Sequence, residues 1–423
     1  MELLKYFRDD HKELWVEHTQ GFFVERKECK DYLTKHFEEL NWAVRYAKNG
    51  KLGLSYGTNF EGVLGGVEVA EEMTEFGISG ELPELNKSYR EIPIVTEEKL
   101  TPEEVKSLLE ELEKTATSRG IKRIDKIKLQ LEVQRCELIR GDIRLVWEEP
   151  FYTFLISLVA ESESRQATSY GWWSGRYFNR ERIFEEVERA CYKAKALARG
   201  EKGASKRLKV WFPPEVAVDL IDLLEFSFSG EEVVKGRSKL KDKQGKLVFS
   251  QGLFLIDDGL NPELPESRPF DDEGMPQQKT VLVENGVVAG FLWDSFWGKK
   301  AGVKSTGNAR RPNFKSLPRV SSTNIYILPG RIPLNEFLSS EKEVLEVIEV
   351  LGFHTADPIS GDFSVGISGV IHRNGEPAEY ISEMAMSENI FELFNKLCFL
   401  GNDLKFFGST GSPSLIFEDI VIG

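Results

Sequence analysis

Histidine and cysteine are the scarce residues of this 423-residue chain, with five of the first and four of the second. Metal or nucleophile chemistry built on these types has to come from His11, His18, His36, His354, His372, Cys29, Cys136, Cys191 and Cys398. The cysteines are widely spaced and form no C-x-x-C pair. That excludes a zinc ribbon or thioredoxin-type motif and argues against a disulfide framework. They read as reduced, mostly buried thiols of a cytoplasmic protein. Long hydrophobic runs are missing as well. The longest strongly apolar stretch, Phe151 to Ala160, has ten residues, about half of what a membrane-spanning helix needs. The first residues show no charged segment followed by an apolar one, so no secretory signal is expected. Basic charge is in deficit, 55 Lys and Arg against 69 Asp and Glu for a net charge of −14. A protein that coats nucleic acid carries the opposite field. H-E-x-x-H, the P-loop, the nucleophile elbow and a strand-linked G-x-G-x-x-G are also absent.

With 41% hydrophobic and 29% charged residues, the chain is an ordinary globular one, and its length suits two or three domains. Period-two alternation dominates the start. Glu13–His18 and Gly21–Arg26 read as strands, and Leu40, Trp42, Val44 and Tyr46 share one face. Asn49-Gly50 then turns the chain into Leu52, Leu54 and Tyr56, because both residues of such a hairpin turn need positive φ. A helix is expected from about Glu61 to Phe76, then a polar, proline-punctuated connector from Gly80 to Val95. Thr101-Pro102-Glu103-Glu104 opens the next helix with a capping box, and Val105, Leu108, Leu109 and Leu112 give it an apolar stripe. Alternation returns between Ile124 and Gly175, followed by a helix through Ile183, Phe184, Val187, Cys191 and Ala194. The pattern suggests an N-terminal repeat of a helix–strands–helix unit.

Residues 199–206 form a polar link, so the chain is expected to divide into an N-terminal domain, 1–200, and a C-terminal domain, 206–423. The C-terminal part opens with a strand, Leu208–Phe212, and a helix after Pro213-Pro214. It contains two further Asn-Gly hairpins, at 285–286 and 374–375, and an irregular stretch from about Gly298 to Ser322. The fold class is α+β: mostly antiparallel sheets with packed helices.

Three segments carry the candidate chemistry. Arg268-Pro-Phe-Asp271-Asp272-Glu273-Gly274, preceded by Asp257-Asp258, clusters carboxylates that can bind a hard cation, share a proton or hold an arginine. It can equally be a surface loop whose acids cap backbone N–H groups and pair with Arg268. Ser305-Thr306-Gly307-Asn308-Ala309-Arg310-Arg311 offers backbone donors, an amide that bonds a peptide in both senses, and two arginines for carboxylate or phosphate. Its bland reading is a loop with solvated arginines. Ser360-Gly361-Asp362-Phe363 frames Asp362 at a strand entrance, where Asp is usually a turn former. Among the histidines, His354 is the best candidate to line a site; the others read as lone strand or surface residues. Trp172, Trp173, Trp293 and Trp297 read as core or interface anchors.

Together with Pro276-Gln277-Gln278, Thr280–Gly286 and Thr323-Asn324, these segments resemble the TldD/PmbA family, also called modulators of DNA gyrase and peptidase family U62. The resemblance covers most of 208–423. It implies a two-domain subunit working as one half of a TldD-type and PmbA-type (TldE) pair that acts on peptides or unfolded proteins. The TldD-type chain carries an H-E-x-x-x-H zinc helix completed by a cysteine near the C-terminus. This sequence departs there. Counting back from Gly236-Arg237-Ser238, the helix falls around Asp222–Gly230, and no histidine lies between 37 and 353. The segment Gly408–Ser414 holds no cysteine. The expectation is therefore a PmbA/TldE-like partner without catalytic or metal-ligating residues or a cofactor of its own, zinc being expected in a TldD-type subunit. Alone, the chain is expected to form a homodimer, away from membranes. Its peptide or partner groove is assigned to Arg268, Asp271, Asp272, Glu273, Asn308, Arg310, Asp362 and His354. The alternatives are a stand-alone metal-dependent peptidase using Asp257, Asp271 and Asp272, and a protein-binding regulator.

Overall fold

The computed structural model of the chain describes residues 3–423 apart from 29, 86–88, 93–99 and 164. Cys29 and part of the connector expected over 80–95 fall outside the described residues. The N-terminal half is one antiparallel sheet with helices on one face. Its strands are β1 (Lys12–Lys27), β2 (Leu33–Lys48), β3 (Lys51–Gly57), the short β4 (Ile78–Ser79), β5 (Arg123–Arg140), β6 (Ile143–Glu161) and β7 (Gln166–Gly175), in the order β4-β3-β2-β1-β5-β6-β7. The helices are α1 (Val63–Met73), α2 (Pro102–Ser118) and α3 (Arg180–Arg199). Two expected strands, Glu13–His18 and Gly21–Arg26, are one continuous strand that pairs with β2 on one side and β5 on the other. Asn49 and Gly50 turn β2 into β3 with φ of 52° and 71°. The expected repeat is visible as β1-β2-β3-α1 and β5-β6-β7-α3, two meanders running outward from the central β1–β5 pair, each followed by a helix. Only the second is also preceded by an α-helix; a 3₁₀ turn, Leu3–Phe7, precedes the first.

Periodicity explains the helices. Thr101 accepts a hydrogen bond from the Glu104 amide at 3.3 Å, and the Glu104 carboxylate accepts from the Thr101 amide at 2.7 Å, so the capping box forms. From there Val105, Leu108, Leu109, Leu112 and Ala116 are buried against Ile127, Leu129 and Phe154 of the sheet.

The C-terminal half stacks two sheets. It begins with β8 (Glu201–Lys202) and β9 (Lys206–Phe212), followed by α4 (Pro214–Phe228) and α5 (Gly230–Val234). Next come β10 (Leu255–Asp258), β11 (Lys279–Glu284), β12 (Val287–Val288), α6 (Ser295–Ala301), β13 (Ala309–Arg310), β14 (Arg319–Val320) and β15 (Ile325–Ile327). Then follow α7 (Leu334–Ser340), β16 (Val344–Leu351), β17 (Asp362–Arg373), β18 (Glu376–Asn389) and α8 (Ile390–Asn395). The chain closes with β19 (Leu397–Leu400), β20 (Lys405–Phe407), β21 (Thr410–Ser412) and β22 (Leu415–Ile422). One sheet has the order β19-β22-β9-β16-β17-β18-β8, the other β12-β11-β10-β15-β21-β20, and β13 pairs with β14 alone. Between them α4 and α8 bury Leu220, Leu224, Phe228, Leu393 and Phe394 in the largest core. The polar link at 199–206 is tied down, because β8 pairs with Ile381 and Ser382 of β18.

Helix α3 joins the halves. Ile183, Val187, Ala190 and Ala194 pack on the N-terminal sheet, while Ala196, Tyr192 and Leu197 meet Ile348, Val370 and Tyr380 of the C-terminal one. Arg189 bonds Glu215 at 2.6 Å and pairs with Glu346 at 2.7 Å. Glu346 also accepts from Tyr192 at 2.7 Å and meets His372 at 2.8 Å. His372 is therefore a buried, partnered residue, not the lone strand histidine expected, because Glu346 arrives from the neighbouring strand. None of the described helices is long and apolar enough to cross a membrane. Because the capping box satisfies donors at an exposed helix end, Thr101→Ala is expected to lower stability by about 1 kcal/mol, measured as a shift of the urea midpoint with unchanged slope.

Candidate functional site

The acidic loop singled out in the sequence lies between the two halves. The second face of the N-terminal sheet, opposite its helices, presents Trp15, Ala43, Cys136, Leu138, Leu145 and Trp147, and Phe270 packs into it. This brings Arg268, Asp271, Asp272 and Glu273 into the interior: all four are buried, Asp271 completely. Asp271 folds the loop on itself. Its carboxylate accepts from the amides of Glu273 at 2.9 Å, Met275 at 2.8 Å and Ala309 at 3.0 Å. Gly274, at φ 78°, closes the turn. Asp272 accepts from the Arg311 amide at 2.6 Å, while its own amide donates to the Ala309 carbonyl at 2.9 Å. Glu273 accepts from the Ser295 amide at 3.1 Å and lies 3.6 Å from Arg45.

Charged groups of both halves complete this seam. Arg268 stacks on Trp147, 3.9 Å from the ring centre, and pairs with Glu266 at 3.1 Å and Glu149 at 3.4 Å. Arg176 bonds Glu149, and Arg310 bonds Glu266. Arg45 bonds Glu13 at 2.8 Å, and Arg140 and Arg311 each lie 3.7 Å from the same carboxylate. Burial raises Asp271 well above the usual carboxyl range, reinforced by Glu273 against its three amide donors. Burial likewise lowers Arg311 to about 10, helped by neighbouring Arg45. For Glu266 burial works upward, but Arg310 and Arg268 overcome it and hold the carboxylate below its ordinary value. The seam residues expected to face a groove are thus engaged with each other. Sequence reading missed Glu13, Arg45, Glu149 and Arg176. On β2 the whole run Asn41–Arg45 is buried, so alternation marks no exposed side there and gives no sign that Arg45 is inside.

A second polar knot adjoins the seam at the end of β10. Asp257, fully buried, accepts from the Asn308 amide group at 2.7 Å, the Thr323 N–H at 2.7 Å and the Thr323 hydroxyl at 3.0 Å. Asn308 also donates to the Ser321 carbonyl at 3.1 Å and accepts from the Thr306 hydroxyl at 2.6 Å. Gly307 turns the segment at φ 72°; a Cβ there would stand 2.3 Å from the Pro276 carbonyl oxygen. Burial pushes the Asp257 carboxyl up to about 6 despite its three donors.

Beside this knot runs α4. Glu225 accepts from the Ser322 amide at 2.7 Å, and Asp222 accepts from the Thr410 hydroxyl at 2.7 Å. Asp222 is exposed at its surface, yet surrounding protein pushes its carboxyl up to about 6, and the Thr410 bond opposes this. Asp219, Asp222, Leu223, Phe353 and His354 line an open cavity of about 480 Å³. His354 therefore stands at the cleft beside α4, away from the seam. Asp362 is at neither place. It is exposed at the start of β17, held by Asn389 at 2.8 Å, as a turn residue.

A family model described as the PmbA/TldA metallopeptidase C-terminal domain matches residues 205–423, and one described as the central domain of the same metallopeptidases matches 96–198. The chain belongs to the TldD/PmbA family. An uncharacterized protein of Methanocaldococcus jannaschii is 33% identical over 396 residues, 90% of this chain and 88% of that protein. The metalloprotease PmbA of Escherichia coli O157:H7 is 25% identical across 63% of this chain and 57% of its own length. For a Buchnera aphidicola metalloprotease TldD homolog the figures are 31%, 45% and 42%, so the match to these two metalloproteases spans about half of each. Among solved structures, TldE from Thermococcus kodakarensis superposes with a TM-score of 0.89 at 22% identity, covering 100% of this chain and 98% of that one. A Thermotoga maritima protein described as a candidate DNA gyrase modulator gives 0.87 at 23% identity, with 97% and 96% covered. These likenesses carry the fold.

A metallopeptidase family raises the question of zinc, which takes about three protein ligands and an open position in catalytic sites. In the register counted from Gly236-Arg237-Ser238, α4 is the helix to inspect. It carries no histidine, Asp222 is bonded to Thr410, and Glu225 is bonded to Ser322. Cys398 lies elsewhere, on β19, with its thiol on the Ile416 carbonyl. Among the described residues no three His, Cys, Asp or Glu side chains are arranged to hold a metal. On α4, then, the two acids in that register are already held by protein donors.

The Asp257 knot has a pH signature. A carboxyl whose folded value is about 6 against an ordinary 3.8 favours the fold most when protonated. Its contribution is therefore complete below about pH 4 and lost as pH rises through 6. The two-unit displacement sets an upper bound of about 3 kcal/mol. Relative to Asp257→Asn, the wild-type chain is expected to lose stability between pH 4 and 7. Parallel urea-midpoint curves for the two proteins across that range would contradict this.

Proposed function

We propose that this chain is the PmbA/TldE-like, non-catalytic subunit of a paired metalloprotease complex that acts in the cytoplasm on peptides or unfolded proteins. Zinc then belongs to the TldD-type subunit. The observation that carries the reading is α4, where the family's zinc helix is expected and where Asp222 and Glu225 are taken up by Thr410 and the Ser322 amide. The seam supports a supporting role in a different way. Its carboxylates and arginines brace the two halves and leave Arg268, Asp271, Asp272, Glu273 and Asn308 buried. Substrate contact in this chain falls to the cleft beside α4, where Leu223 and Phe353 give an apolar wall, Asp219 and Asp222 an acidic one, and His354 a polar edge.

A stand-alone peptidase built on Asp257, Asp271 and Asp272 is the weaker reading, since the donors around Asp257 and Asp271 are amide and hydroxyl groups that already fill their carboxylates. In the test, the purified chain is mixed with a TldD-type chain and assayed with an unfolded peptide substrate and zinc. The mixture is expected to cleave, chelator is expected to abolish cleavage, and this chain alone is expected to be inactive and metal-free. Failure of the chain either to bind a TldD-type chain or to change its activity would sink the proposal.

A further inference from the structure

Helix α1 carries an apolar stripe that no other part of the described chain covers. At 3.6 residues per turn, Gly65, Val69, Met73 and, just past the helix, Phe76 follow one another along a single side. Val69 is 48% exposed, Met73 44% and Phe76 82%, more than any other large apolar side chain described. Exposed Ile78, Leu64 and Phe60 extend the surface. The opposite side is ordinary core, with Val63, Gly66 and Ala70 buried. Scattered surface apolar residues need no explanation, but a contiguous stripe marks an interaction surface.

Gly65 sharpens this. Glycine inside a helix costs about 1 kcal/mol relative to alanine, and Gly66 next to it has a reason, since a Cβ there would stand 2.5 Å from the Trp42 ring. A Cβ on Gly65 would meet nothing within 4 Å. Packing within this chain does not ask for a glycine at 65, and the bare backbone leaves room for another chain to approach closely.

The rim of the stripe identifies the partner's chemistry. Glu68, Glu72 and Glu75 are exposed along one border, and no ion pair joins them to a cation among the described residues, Lys48 being occupied by Glu71 at 2.9 Å. In a symmetric pairing of two copies through this stripe, Glu68 and Glu72 would face their own counterparts, and like charges set together oppose association. We propose that the outer face of α1 docks a basic amphipathic helix of another protein: an apolar stripe seated on Gly65, Val69, Met73 and Phe76, with Lys or Arg along the border that meets Glu68 and Glu72. The partner helix reads the face as an apolar stripe with an acidic border.

The full-length chain can be titrated with a fluorescent synthetic helix of about 18 residues, five turns, bearing one leucine face bordered by lysines, with a scrambled peptide of equal composition as the control. Binding is expected to weaken with added salt, and the scrambled peptide is expected to bind at least about tenfold more weakly. The informative variant is V69D/F76D, which makes the surface more acidic while deleting the apolar stripe. It is expected to lose at least about tenfold in affinity, whereas adventitious attraction between opposite charges would strengthen. Both positions are exposed, and an unchanged melting temperature confirms that the variant folds. Equal binding by V69D/F76D, equal binding of the scrambled peptide, or no binding of the helix overturns the proposal. So does a wild-type dimer in size-exclusion light scattering that V69D/F76D dissociates, because the occupant is then a second copy.

Discussion

Charge buried between the two halves has to be paired, and that constraint organises the molecule. Removing a carboxylate or guanidinium from water costs several kcal/mol unless hydrogen bonds and an opposite charge replace the water. Here the replacement is mutual. Glu13 and Glu149 come from the N-terminal sheet, and their partners Arg311 and Arg268 from the other half. Neither half can separate without stranding its partners' charges, so the halves are held in one relative arrangement by polar specificity, with Phe270 and α3 adding apolar contact. Such a seam does little for net stability compared with an apolar interface of the same size. What it contributes is geometry: Glu273, which pairs with Arg45 across the seam, also holds the Ser295 amide, and Asp271 and Asp272 beside it hold the amides of 273, 275, 309 and 311.

The secondary structure was largely legible from the sequence because its signals are local. Asn-Gly turns, the Thr101 capping box and the stripes of α2 and α3 each depend on a few neighbouring residues. The merging of Glu13–His18 and Gly21–Arg26 into one strand was not legible, since nothing local says that a glycine at 21 continues pairing on both sides. The site was half legible. The motif segments were found, but they read as exposed because loops rich in Asp, Arg and Pro usually are. Their burial depends on the second face of the N-terminal sheet, where Arg45 and Glu13 occupy positions that alternation assigns to solvent. A sheet covered on both faces erases the distinction that pattern reading relies on. The partner of His372 was hidden for a related reason: Glu346 is remote in sequence and adjacent only through strand pairing.

Along α4 two acids are held by the protein's own donors. The helix faces Thr410 on β21 and Ser322 before β15, and hydrogen bonds to that hydroxyl and that amide occupy Asp222 and Glu225. The Asp257 knot behind it fixes the 305–311 segment against 321–323 through Asn308. In the proposed pairing, a wall held in this way would serve a neighbour's reaction by positioning and by excluding water, neither of which requires a ligand set of its own.

The seam also bears on the outer surface. Its arginines, Arg45, Arg140, Arg176, Arg268, Arg310 and Arg311, are matched in number by Glu13, Glu149, Glu266, Asp271, Asp272 and Glu273. Those twelve cancel in formal charge, so the whole net charge of −14 remains outside the seam. Acids therefore outnumber bases outside the seam, some of them buried, such as Asp257, Glu186 and Glu346, and the rest at the surface. Glu68, Glu72 and Glu75 on α1 are left over in this sense, and they flank the most exposed aromatic ring described, Phe76. The outer face of α1 thus keeps exposed acids beside exposed apolar side chains, and a basic partner is the chemistry that surface fits.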